Sequence, residues 1–186
     1  MIRKLSRYIL RISGWKIAGE LPRQKKYVVV VAPHTSNWDF VWGQLYYLAA
    51  GIRAKIMIKK ELFYFPLGNL LKLLGGIPVD RHGNSDIVEQ MINEFKMRDS
   101  FILVLTPEGT RSRVDEWKTG FHRIASGANV PVVPGFIDYK NKIIGTGDFF
   151  HPGSDVDKDM LKIKRFYRNV TPKFPENFSL GNIDQD

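Results

Sequence analysis

Two kinds of apolar pattern take turns along this chain: short unbroken runs, and stretches in which apolar residues recur every three or four positions. The run "YVVVVAP", β-branched and ended by proline, predicts a buried strand, and "SFILVLTPEG" predicts another in the interior of a sheet. Further strands are expected at "WKIAGE", "AKIMI", "IPVDR", "VPVVPGFIDY" and "KIIGTGD". Helical spacing appears over residues 38 to 49, stopped by Gly51, and in "PLGNLLKLLGG", which opens on proline and closes on paired glycines. It returns in "NSDIVEQMINEFKMRD", where Ile87, Met91, Ile92 and Phe95 share one face, over residues 119 to 128, and in a basic amphipathic stretch over 156 to 170. Residues 171 to 186 predict a loop or tail.

Strand and helix alternate, which points to a three-layer α/β domain over residues 14 to 170, with a largely parallel or mixed central sheet flanked by helices. A chain of 186 residues suits one domain with a substantial core. In open α/β sheets ligands sit beyond the carboxyl ends of the strands. Three polar clusters fall at such ends: "PHTSNWD" (33 to 39), "VDR" (79 to 81) and "TPEGTRSR" (106 to 113).

Ahead of the domain, residues 1 to 13 predict a helix with Ile2, Leu5, Ile9 and Ile12, joined by Leu10 and Trp15, as an apolar stripe. Arg3, Arg7 and Arg11 repeat on another face. Such a helix can cover a core, or it can lie on anionic lipid. Charge bears on that choice. The net charge is +9 and the pI about 9.7, which favours polyanionic partners such as nucleic acid, an anionic membrane, phosphorylated substrates or acidic carrier proteins. Residues 1 to 26 carry eight basic side chains against Glu20 alone, so the excess is concentrated at one end. With charges scattered through the first 17 residues no signal peptide is expected, nor any membrane span, since no run reaches roughly 18 to 20 apolar residues. No nucleic-acid reader motif is present.

The absence of cysteine excludes disulfides, thiolate metal sites and a cysteine nucleophile. Neither a phosphate-binding glycine fingerprint nor a serine nucleophile elbow occurs. His82, His122 and His151 are dispersed, without spacing that specifies a metal. In "PHTSNWD", His34 has the side chain best suited to take a proton near neutral pH, and Asp39 could fix its tautomer. The same letters also form a helix capping box, Ser36 with an acid three residues on. A cap can place a catalytic carboxylate, so both readings stand. Arg81 could form a surface pair with Asp80 or take an anionic group in its planar fork. In "PEGTRSR", Gly109 lets backbone approach a ligand, Thr110 offers a hydroxyl, Arg111 and Arg113 offer forks, and Glu108 can orient an arginine or accept from a hydroxyl.

These clusters, in this order, resemble the glycerolipid acyltransferases typified by lysophosphatidate (1-acylglycerol-3-phosphate) acyltransferase. His34 and Asp39 match that family's histidine, four residues, aspartate motif. "GGIPVDR" resembles its glycine-led strand ending in arginine, "PEGTRS" its glutamate-glycine-threonine-arginine block, and "VPVVPG" its apolar fourth block. Pro33 and Pro78 stand where family members commonly carry an asparagine and an aromatic.

The resemblance implies a single acyltransferase domain in which His34 deprotonates an acceptor hydroxyl and Asp39 orients it. Arg81, Glu108, Gly109, Thr110 and Arg111 would hold the acceptor's head, and Pro134 would lie near the acyl chain. It implies no bound cofactor, with acyl-coenzyme A or acyl carrier protein as co-substrate, a lysolipid acceptor and an anionic membrane surface as partners, and a peripheral place on the cytoplasmic face. Lysophosphatidate is the default acceptor and a non-phosphate lysolipid, such as a lyso-aminolipid, the alternative. From another class, a non-catalytic basic module for anionic lipid or nucleic acid is the competing reading.

Overall fold

A computed structural model describes residues 1–79 and 87–181. Seven strands form one mixed sheet: β1 (Lys16–Ala18), β2 (Lys26–Val31), β3 (Ala54–Lys59), β4 (Gly76–Val79), β5 (Phe101–Leu105), β6 (Val132–Asp138) and β7 (Ile143–Thr146), in the spatial order β1-β7-β6-β2-β5-β3-β4. The β6–β7 pair is antiparallel and every other pair in the sheet is parallel. Among the described residues six α-helices accompany it: α1 (Ile2–Ile12), α2 (Asn37–Ala50), α3 (Leu67–Leu73), α4 (Ile87–Met97), α5 (Gly120–Ala128) and α6 (Val156–Phe166). The alternation predicted from periodicity is thus realised element by element. The last predicted helix ends earlier, because Tyr167 turns into the core within a 3-10 turn and its hydroxyl donates to Val30 O at 2.6 Å.

β2 is buried on both faces, which is why it reads as an unbroken run. Val28 and Val30 join the layer built by Met91 and Phe95 of α4, Phe121 and Ile124 of α5 and Ile163 of α6. Tyr27 and Val29 join the layer of Leu10 from α1 and Tyr46, Tyr47 and Ala49 from α2. The helix following β2 therefore covers one face, and α5, following β5, covers the other. Since β2 and β5 are parallel neighbours, the chain leaves their carboxyl ends in opposite directions and opens a crevice there.

In α1 the predicted apolar stripe is divided. Ser6 and Leu10 are buried against α2, whereas Ile2, Leu5, Tyr8 and Ile12 are 57%, 54%, 61% and 64% exposed. Arg3 Nη2 donates to Ala50 O at 3.3 Å and Arg7 Nε to Ala49 O at 3.1 Å. Those carbonyls belong to the last turn of α2, where a helix leaves acceptors unsatisfied and favours positive charge. Arg3 and Arg7 are drawn onto the domain, and Ile2, Leu5 and Ile12 of the apolar stripe are turned to the outside. No helix among the described residues is long and apolar enough to cross a membrane.

Residues 171–181 run back along the domain. Tyr139 N–H donates to Thr171 O at 2.9 Å, Phe174 N–H to Thr35 Oγ1 at 3.2 Å, and Trp117 Nε1 to Ser179 O at 3.0 Å.

Candidate active site

The segment after β2 does two jobs with one side chain. Ser36 caps α2, its hydroxyl accepting from Trp38 N–H, and Asp39 completes the capping box from the third helical position. Asp39 Oδ2 accepts from the N–H groups of Thr35 and Ser36, both at 2.9 Å. The same oxygen lies 3.2 Å from His34 Nδ1. A carboxylate can only accept, so Nδ1 carries the proton and Nε2 keeps its lone pair, the tautomer a general base requires. His34 is partly exposed while Asp39 is buried, so the imidazole can meet a substrate that its partner cannot. The cap and the pair suggested by the sequence are one structure.

Tyr139, just beyond β6, was not marked by any motif. Its hydroxyl donates to Asp39 Oδ1 at 2.6 Å, and its ring stands edge-on to Trp15 with centroids 5.3 Å apart. Trp15 in turn packs on Trp42 of α2 at 5.2 Å. Both carboxylate oxygens of Asp39 are therefore engaged. Burial pushes its pKa up, but hydrogen bonds from His34, Tyr139 and the Ser36 N–H outweigh it and hold the carboxyl below the usual aspartate range. Burial, reinforced by donation to Asp39, pushes the Tyr139 hydroxyl well above its ordinary value, so it stays a donor. The residue carries no spacing relative to His34 that a sequence could reveal; only the β2–β6 pairing, with Val31 opposite Gly135, brings it near.

Glu108 follows β5 and is buried, at 5% exposure. Its Oε2 accepts the His34 N–H at 2.9 Å, while Oε1 is buried without a hydrogen-bond partner among the described residues. Burial pushes the carboxyl up to about 8, the His34 N–H opposes this, and the charge of Asp39 adds to it. Burial of a carboxyl in this way disfavours its charged form. Glu108 supports the His34 backbone from beneath. Gly109 has φ +68°, a left-handed conformation that favours glycine, and an added Cβ would come within 3.1 Å of Lys118 Nζ. Thr110 accepts from Ser112 N–H at 3.3 Å, and Thr110 and Arg111 are exposed on the same loop. Arg113 turns away, donating to Phe178 O at 3.4 Å. Pro134 is buried in β6 opposite Val30. Arg81 lies outside the described residues.

A second histidine–carboxylate pair, His122 Nε2 to Asp159 Oδ2 at 3.0 Å, lies in the layer of α5 and α6. Asp159 also accepts Gly153 N–H at 2.7 Å, so the pair fastens the chain before α6. Among the described residues no cluster of three or more histidine and carboxylate side chains is placed to hold a metal ion.

Comparison with known proteins bears on this geometry. A family model described as Acyltransferase matches residues 15–138. The chain is 33% identical over 120 residues to a 1-acyl-sn-glycerol-3-phosphate acyltransferase of Streptococcus pneumoniae, an alignment covering 62% of this chain and 43% of that protein. It is 30% identical over 190 aligned positions to a probable 1-acyl-sn-glycerol-3-phosphate acyltransferase of Mycoplasma pneumoniae, covering 96% of this chain and 69% of that one. The chain thus spans less than half the length of its pneumococcal relative. Among solved structures, the crystal structure of the 1-acyl-sn-glycerophosphate (LPA) acyltransferase PlsC from Thermotoga maritima has the same fold, with a TM-score of 0.61 over 92% of this chain and 80% of that one at 19% identity.

Proposed function

The chain belongs to the Acyltransferase family, and from that premise we propose that it transfers a fatty acyl group from a thioester to the hydroxyl of 1-acylglycerol-3-phosphate, with His34 as general base. The observation that carries this reading is the 3.2 Å contact from His34 Nδ1 to Asp39 Oδ2, which leaves Nε2 as the basic nitrogen of a partly exposed ring just beyond β2. Nε2 takes the proton of the acceptor hydroxyl as its oxygen attacks the thioester carbonyl. The resulting tetrahedral oxyanion collapses, the carbon–sulfur bond breaks, and the thiolate leaves with the proton held by His34. Asp39 stays ionised and stabilises the imidazolium between the two steps. Acyl-coenzyme A or acyl carrier protein serves as donor, and no cofactor is required by this chemistry.

Residues 14 to 170 form the acyltransferase domain, and residues 1 to 13 lay it on an anionic membrane at the cytoplasmic face. The exposed side chains of Ile2, Leu5, Tyr8 and Ile12 support the second part. Arg111, Thr110 and Gly109, together with Arg81, hold the acceptor's head, and Glu108 supports them by holding the loop that bears His34. Pro134 lies beneath the acyl end. The reading is tested by thiol release from acyl-coenzyme A and acyl carrier protein with a panel of lysolipids, for the wild type and His34→Ala. No release by the wild type with any pair overturns it; release that depends on lysophosphatidate and disappears in a folded His34→Ala protein supports it.

A further inference from the structure

The segment 171–178 lies outside the region that matches the family model, residues 15–138, yet it is fastened to the frame of the site. Two of its polar anchors are Tyr139, whose N–H donates to Thr171 O at 2.9 Å, and Thr35, whose hydroxyl accepts Phe174 N–H at 3.2 Å. Each of these residues also donates to Asp39: Tyr139 through its hydroxyl and Thr35 through its N–H. The strap and the carboxylate that orients His34 therefore share their supports.

Lys173 sits between the two anchors. Its Nζ is 5.2 Å from the ring centroid of Trp38 and 5.6 Å from that of Phe174. Trp38 is in the first turn of α2 and 51% exposed; Phe174 is 39% exposed. No carboxylate among the described residues lies within ion-pairing distance of Lys173. An ammonium flanked by two open aromatic faces is suited to receive the charged head of an amphiphile while the rings take its apolar part.

We infer that Lys173, flanked by Trp38 and Phe174, is a binding residue for the phosphate of the acceptor. This rests on the acyltransfer reading, which puts the reacting hydroxyl at His34 Nε2. In 1-acylglycerol-3-phosphate the phosphate is borne by the carbon next to the one that carries that hydroxyl, so the cations that hold it gather near His34. The strap that carries Lys173 is bonded through Phe174 N–H to Thr35, the residue after His34, which brings Lys173 to this end of the sheet as a cation additional to that of Arg111. The phosphates of a coenzyme A donor lie a pantetheine arm away from the thioester and reach other surface. The headgroups of the surrounding bilayer carry the same phosphate chemistry, and the experiment separates them from the acceptor.

Lys173→Gln and Lys173→Arg are compared with the wild type in mixed micelles of a nonionic detergent, with oleoyl lysophosphatidate and with monooleoylglycerol, which lacks the phosphate. The expected result is a KM for lysophosphatidate about tenfold higher in Lys173→Gln, the loss of one charge-assisted hydrogen bond. Unchanged kcat, unchanged kinetics with monooleoylglycerol and recovery in Lys173→Arg complete that expectation. Calorimetric titration with lysophosphatidate below its micellar concentration should show the same weakening without any reaction. A wild type that binds lysophosphatidate but transfers nothing would sink the acyltransfer reading, and the titration would still judge Lys173. An unchanged KM and Kd, an equal loss with monooleoylglycerol, or a loss confined to association with anionic vesicles would each overturn the assignment.

Discussion

Tyr139 donates a 2.6 Å hydrogen bond to Asp39 Oδ1 from 100 positions further along the chain. Tyr139→Phe keeps the ring that packs on Trp15 and removes the donor, so about 1.5–3 kcal/mol of stability is expected to go, the range for a hydrogen bond to a charged group. The sign with pH follows from Asp39. Its lowered pKa means that its contribution is present above the ordinary aspartate range and is lost as pH falls through the depressed value. The difference in melting temperature between wild type and Tyr139→Phe should therefore be largest near neutral pH and shrink below about pH 4. A difference independent of pH would mean that the hydroxyl does not act on the carboxylate.

Asp39→Asn discriminates between capping and catalysis. The amide oxygen can still accept from the Thr35 and Ser36 N–H groups, so the cap survives and the melting temperature should fall by no more than in Tyr139→Phe. The carboxylate facing His34 Nδ1 is lost, and with it the tautomer and the stabilised imidazolium. In a serine protease the equivalent change lowers kcat by about 10⁴, and a loss of at least about 10² is expected in thiol release, the lower end for a general base. A large fall in melting temperature with little change in rate would leave Asp39 as a cap alone.

Glu108 offers a test in the opposite direction of pH. Its carboxyl, pushed up to about 8, holds its proton in the fold at pH values where the unfolded chain has released it. Wild-type stability should consequently decline as pH rises from the ordinary glutamate range through about 8. Glu108→Gln keeps an oxygen that can accept the His34 N–H and removes the titration. The melting temperature of Glu108→Gln relative to wild type should climb between pH 5 and about pH 8 and then level off; a flat difference would show that the buried carboxyl is already charged at pH 5.

Helix α1 separates lipid contact from folding. Leu5 and Ile12 are more than half exposed, so the double variant Leu5→Gln, Ile12→Gln should keep its stability to within about 0.5 kcal/mol, as surface changes usually do. Its co-sedimentation with anionic vesicles should drop sharply. Arg7→Ala should do the reverse, costing up to about 1 kcal/mol through the lost bond to the end of α2 while leaving most vesicle binding intact. Vesicle binding unaffected by the glutamine pair would end the proposal that α1 is the anchor.

Local chemistry determined much of this protein. Period-two and period-3.6 patterns are read residue by residue, so the alternation of strands and helices, the buried β2 and the three polar clusters beyond strand ends could all be seen in the sequence. The His34–Asp39 pair could be seen too, since a capping box fixes an acid five residues after the histidine in the geometry that returns it to the ring. Three things depended on the tertiary structure. Tyr139 and Glu108 reach the pair because β6 and β5 flank β2, a pairing set by the burial of whole strands rather than by any spacing in the chain. The strap carrying Lys173 had only the composition of a tail, and its place follows from two hydrogen bonds to residues far away in sequence. In α1, apolar and basic faces were both evident, and neither by itself indicates which one turns inward. The unsatisfied carbonyls of Ala49 and Ala50 decided it by drawing in Arg3 and Arg7, and so left Ile2, Leu5 and Ile12 outside while Leu10 packs inward.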